Sequence, residues 1–228
     1  MRKICFLLSL CLLLPISASA AEAPEYIALT FDGGPWGEET RLLLEGLDSR
    51  GVKATFFLSG SQAEQYPDLA EKIWQAGHEI GIQGHSYRDA VPMSRREIAA
   101  EITAARGLLP EKCRVRLLRP GDSCSDGVNQ VAGALGLAVI DWSVDTRDRS
   151  VRDTAAVGRT LSDRVKDGDI ILMHHMSAAS VSAALNIVDI LKNRGFTFVT
   201  VSELARLHNV RLQPGKHYRR FPDESTGA

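Results

Sequence analysis

Along the chain, short runs of apolar, β-branched and aromatic residues alternate with stretches whose apolar positions recur four apart. The segments 26–31 (YIALTF), 53–58 (KATFFL), 79–83 (EIGIQ), 115–119 (VRLLR), 137–142 (LAVIDW), 169–174 (DIILMH) and 197–201 (TFVTV) read as strands. Between them, Leu69 with Ile73, Ile98 with Ile102, and Val157 with Leu161 and Val165 each mark the apolar face of a helix. Ser61-x-x-Glu64 and Ser94-x-x-Glu97 have the form of capping boxes at two helix starts. Gly51, Gly77, Gly136 and Gly195 fall where a helix must end before the next strand, a place that favours glycine. Regular strand–helix alternation implies parallel strands joined by helical crossovers, and seven such units close more readily into a barrel than into an open sheet. The pattern predicts an α/β barrel in a single domain.

The two ends depart from this pattern. Arg2 and Lys3 precede an apolar run from Ile4 to Ile16, and Ala18-Ser19-Ala20 then offers a small-x-small cleavage site. The run is shorter than the roughly 20 residues that span a bilayer, so residues 1–20 read as a signal peptide. The mature domain would cover 21–210, be exported to the periplasm or secreted, and carry no transmembrane segment. Residues 211–228 show no periodicity and read as a loose basic tail.

Composition narrows the class. With 44% hydrophobic and 24% charged residues over 228 positions, the chain can bury a core, which excludes a disordered polymer. A net charge of −1 gives no basic face for nucleic acid. Four cysteines are present, and export would leave Cys113 and Cys124 as a pair around RVRLLRPGDS, either a disulfide or two buried thiols.

Reactive side chains gather at one kind of position. Asp32 ends the first strand, His85 follows the third, Arg119 ends the fourth, Asp145 and Asp148 follow the fifth, and His174 ends the sixth. These are C-terminal strand ends, which converge on one face of a parallel barrel. His78 precedes its strand and belongs to the opposite, structural end.

These residues carry a family resemblance. ALTFDGGP (28–35), KATFFLSG (53–60), GHEIGIQGHSYRDA (77–90), LLRPG (117–121), WSVDTRDR (142–149), DGDIILMHH (167–175) and GFTFVTVSEL (195–204) follow in order. Together they resemble the polysaccharide deacetylases, carbohydrate esterase family 4 with the NodB-type domain, over residues 26 to 207. The resemblance implies a deformed (β/α)7-type barrel and the hydrolytic removal of N- or O-linked acetyl groups from polysaccharide or cell-wall glycan. It assigns Asp32 as general base, His174 as general acid, Arg119 as the group orienting the base and Asp148 as the partner of the acid. A divalent metal such as zinc belongs to this centre in the family. Here Gly33 stands at one ligand position and Asp89 at another, which leaves His85 and Asp89 as the metal candidates of an incomplete triad. Trp36, Tyr87 and Trp142 fall on rim loops, where they would stack on sugar rings or pack into the core.

Three functions fit this sequence: a hydrolase with an altered or metal-independent centre, an inactive relative that binds glycan, and a structural domain using another surface. The intact set of Asp32, Arg119, Asp148 and His174 favours the first. The loss at Gly33 and Asp89 favours the second.

Overall fold

Alternate residues of the strands belong to two different cores. Ile27, Leu29 and Phe31 of β1 (Glu25–Asp32) pack with Phe56 and Leu58 of β2 (Thr55–Ser59), Ile80 and Ile82 of β3 (Glu79–Gly84), and the apolar faces of the helices. Ala28, Phe57, Leu117, Ala138, Ile140 and Ile170 point the other way and fill the inside of the curled sheet. A period of two along each strand therefore separates a helix-covered layer from a barrel interior.

The structure, a computed structural model, describes residues 23–86, 93–121, 125–148 and 163–222. The remaining strands are β4 (Leu117–Leu118), β5 (Ala138–Ile140), β6 (Val144–Asp145), β7 (Ile170–His174), β8 (Phe196–Val199) and β9 (His217–Tyr218). Described helices are α1 (Gly37–Asp48), α2 (Gly60–Gln65), α3 (Pro67–Gln75), α4 (Arg95–Gly107), α5 (Asp126–Ala134), α6 (Ala178–Asn193) and α7 (Val201–Leu207). The sheet runs β6-β7-β1-β2-β3-β4-β5-β9, with β8 paired to the first half of β1, and every strand pair is parallel. The barrel-type α/β architecture in one domain is as expected, and all seven strands read from the sequence are present. No described helix is long and apolar enough to cross a membrane.

Several local expectations need correction. Ser94 does form a capping box, its Oγ accepting from Glu97 N at 3.3 Å and its N–H donating to Glu97 at 2.7 Å. Ser61 does not, because α2 already begins at Gly60 and Pro67 then starts α3. Most of the supposed loose tail is ordered. Residues 211–222 run along the sheet, β9 pairs with β5, and Tyr218 and Phe221 are buried in the interior core. Arg220 then bridges Asp169 at the foot of β7, and Phe221 N donates to Gly168 O at 2.8 Å, which draws the far edge of the sheet towards β7. Cys113 is half-buried against the outer core, and burial pushes its thiol up to about 11. Its expected partner Cys124 lies outside the described residues, as do residues 1–20, Tyr87, Asp89, Val157, Leu161 and positions 223–228.

Candidate active site

The parallel pairing of β1 with β7 sets Asp32 directly opposite His174 in register. Each is the last residue of its strand, and each is almost completely buried. Neighbouring strands lie about 4.8 Å apart, so a carboxylate and an imidazole stand side by side at the C-terminal end of the sheet.

Arg119 holds the carboxylate. Its backbone N–H donates to Ile82 O at 2.8 Å, extending the ladder one residue past β4 and aiming the side chain into the interior. There Nη1 donates to Asp32 Oδ1 at 2.7 Å and to Thr30 Oγ1 at 2.8 Å, while Nε and Nη2 donate to Ile140 O and Asp141 O at 3.0 Å. The Phe57 ring lies 4.1 Å beneath the guanidinium. Arg119 is fully buried, so its charge is compensated by these acceptors and the ring face rather than by water.

Asp148 holds the imidazole in the same manner. Its Oδ1 lies 2.9 Å from His174 Nδ1, and its Oδ2 accepts from His174 N at 2.9 Å. Because a carboxylate only accepts, Nδ1 carries the hydrogen and Nε2 is left for chemistry. Arg119 and Asp148 thus occupy the positions that the sequence assigns them, beside Asp32 and His174.

On β3 the structure brings forward a different residue from the one expected. Ile82 pairs with Leu58, yet Gly84 pairs with the very next residue, Ser59, so Gln83 is the extra residue of a bulge. Gln83 Nε2 makes a long 3.4 Å contact with Asp32 Oδ2, and its Oε1 is buried without a partner. The bulge and the φ of +138° at Gly84 change which way the following residue faces. His85 packs instead on Gly60, where an added Cβ would meet its Nδ1 at 2.6 Å. That nitrogen is buried without a hydrogen bond. Glu101 of α4 fixes this turn, one oxygen accepting from His85 N, Ser86 N and Ser86 Oγ at 2.9, 2.7 and 2.8 Å.

Among the described residues, the donors do not fit a three-ligand metal centre. Gly33 offers no side chain and adopts φ +74°, Asp32 Oδ1 is taken by Arg119, and His85 faces Gly60. Among the described residues no three His, Cys, Asp or Glu side chains are grouped to hold an ion.

His175, given no role by sequence, is fully buried beneath the Gly33-Gly34-Pro35 turn. It meets the Phe31 and Phe56 rings edge-on and Thr40 Oγ1 at 3.1 Å. Gly34 is required there, since a Cβ would come within 2.9 Å of the ring. Burial, then the neighbouring His174, pushes the ring down to about 3, so it packs as a neutral group. Asp145 is the exposed last residue of β6 and accepts from Arg147 N at 2.8 Å. Trp36 is half-buried before α1 with its indole N–H unpartnered, and Trp142 packs against the interior core. His78 is structural as expected, its Nδ1 accepting from Ala54 N at 3.1 Å.

Comparison with known proteins decides the family. Residues 20–140 match the family model described as polysaccharide deacetylase. The chain belongs to the polysaccharide deacetylase family. Within that family, it is 32% identical over 212 residues to the peptidoglycan-N-acetylglucosamine deacetylase PgdA of Listeria monocytogenes, a match covering 90% of this chain and 44% of that protein. The chain thus spans less than half the length of that relative. A solved T48 deacetylase with substrate superposes with a TM-score of 0.78 at 29% identity, covering 86% of this chain and 96% of that one. A mutant of a CE4 family pseudoenzyme with restored enzymatic activity superposes with a TM-score of 0.74 at 26% identity, covering 79% and 67%. This polysaccharide deacetylase therefore resembles both an enzyme bound to substrate and a relative described as a pseudoenzyme.

Proposed function

We propose that this protein is an exported hydrolase that removes acetyl groups from an acetylated cell-wall glycan, with an acid–base centre that does not depend on the three-ligand metal. The observation carrying this reading is the Asp32–His174 register, each residue with its own buried partner. Family membership and the peptidoglycan deacetylases among its relatives support the substrate class. The segment Arg2 to Ala20 supports export.

In the reaction, Asp32 takes a proton from water as the water oxygen bonds to the acetyl carbonyl carbon. His174 then delivers a proton from Nε2 to the amine nitrogen as the carbon–nitrogen bond breaks and acetate leaves. Arg119 keeps Asp32 aimed, and Asp148 compensates the charge that the ring carries when both its nitrogens are protonated. Lewis-acid assistance is worth several kcal/mol, so turnover should be on the order of a thousandfold slower than in a metal-loaded relative.

The test is acetate release from N-acetylated peptidoglycan, chitin oligomers and acetylated xylan, before and after EDTA treatment. Asp32→Asn and His174→Ala should each lower the rate by ~100-fold or more while the fold persists. A second reading, glycan binding without turnover, is favoured by Gly33 and by the likeness to the pseudoenzyme. Saturable glycan binding with no acetate from any substrate would establish it.

A further inference from the structure

The end of the barrel remote from Asp32 and His174 contains a hollow of about 930 Å³, within the range of small-molecule sites. Its walls come from the entry points of strands. Arg116 directly precedes β4, Ala138 begins β5, and Ser202 donates to Glu79, the first residue of β3. Residues 209–215 run across it between α7 and β9. Ala138, Ala205, Val210 and Leu212 make an apolar floor, and Arg116, Arg206 and Arg211 supply the cations. None of the described residues that line it is acidic.

The hollow is built rather than left by a slack loop. Val210 N donates to Ala205 O at 2.8 Å, Gln213 N to Tyr218 Oη at 3.1 Å, and Gly215 N to Leu137 O at 2.8 Å. Gly215 adopts φ +75° and lies so close to Asn129 O that a Cβ would come within 2.8 Å. Glu203 meets Arg206 of the wall at 3.4 Å in an exposed pair, and Glu79 accepts from Ser202 and Thr55 below, so Arg116 and Arg211 are the wall cations without a carboxylate partner among the described residues. The guanidinium groups of Arg116 and Arg211 have no ion pair or hydrogen bond among the described residues. Guanidinium groups from separate chain segments, over an apolar floor, match a multi-oxygen anion attached to an apolar body.

We propose that this hollow binds a phosphate ester, the phosphate on Arg116, Arg206 and Arg211 and its apolar remainder on the floor. Such a site would hold the chain on its target while the opposite, C-terminal strand ends face the glycan. The inference is independent of the proposed deacetylation, because neither the residues nor the measurement involves Asp32 or His174.

The experiment is amide NMR titration of the full mature chain with inorganic phosphate, a short-chain soluble phosphatidylglycerol, and acetate as a carboxylate control. Saturable shifts at Ser202, Asn209 and Gln213 are expected with both phosphates and not with acetate. Tighter binding of the lipid, with recruitment to phosphatidylcholine vesicles only when phosphatidylglycerol is present, would identify a headgroup as the source. Equal affinity would identify soluble phosphate compounds. Arg116→Gln and Arg211→Gln should each weaken binding roughly 10-fold, one charge-assisted hydrogen bond apiece. Both side chains are exposed and unpaired, so thermal stability should not change. If a variant fails to fold, loss of phosphate affinity on adding KCl to the wild-type chain reads the same charge. No saturable shift, equal acetate binding, or unchanged affinity in the folded double variant would overturn the proposal.

Discussion

Asp32 on β1 and His174 on β7 are register partners, yet each is held by a different neighbour, Arg119 for the carboxylate and Asp148 for the imidazole. Two oppositely acting groups are thereby fixed side by side without neutralising one another in a single ion pair. That separation lets one take a proton while the other gives one.

Arg119→Met should be strongly destabilising. It strands Asp32 in the interior without its cation and leaves Ile140 O and Asp141 O without their donor. The expected loss is about 3–5 kcal/mol by urea denaturation. Adding Asp32→Asn should recover part of it, because the stranded charge is then gone. A double variant no more stable than the single one would locate the loss in the two carbonyls instead.

The ordered C-terminal segment can be tested at Gly168. This residue adopts φ +83°, and a Cβ would fall 1.4 Å from Phe221 O. Gly168→Ala should cost more than about 2 kcal/mol and loosen residues 217–222, seen as faster amide exchange there. Unaltered exchange and stability would mean that the Gly168–Phe221 contact is not a tight one in solution.

His78 makes stability fall with acidity. Burial, then the charge of Lys53, lowers it from 6.5 to about 4, with Asp48 opposing. The unfolded chain therefore binds this proton first, and stability present above pH 6.5 is lost as pH falls towards 4, by about 3 kcal/mol. His175, lowered to about 3 mainly by burial, acts in the same direction. Urea unfolding between pH 7 and pH 4 should show the decline, and His78→Gln should make it shallower, leaving the part due to His175. A wild-type curve flat across that window would contradict the neutral, buried state.

Metal affinity should depend on Gln83 rather than on His85. Gln83 is the β3 side chain that touches Asp32, whereas His85 packs on Gly60. Gly33→Asp combined with Gln83→His should therefore bind zinc more tightly in calorimetry than Gly33→Asp alone. Equal binding by both variants would restore His85 as the ligand.

The short apolar runs were enough to find seven strands, and their alternation with helical patterns was enough to make them parallel, because both signals are carried by local sequence. The strand-end positions of Asp32, Arg119 and His174 were legible for the same reason, and Asp148 by its place in the resemblance. Gln83 was not legible. A bulge inserts one residue into a ladder, and only the partner strand β2 shows that the count on β3 is off by one, which is what turns Gln83 towards Asp32. β9 was invisible as well, since two residues have no periodicity and become a strand only when β5 supplies the pairing. His175 and the arginine-rimmed hollow likewise exist through distant contacts, with Phe56 and Thr40 in one case and three chain segments in the other. Local pattern thus determined which segments are strands and which strand ends carry the reactive groups. Tertiary packing decided which side chains those groups face, because a bulge, an edge pairing or a cavity is defined by residues far away in the chain.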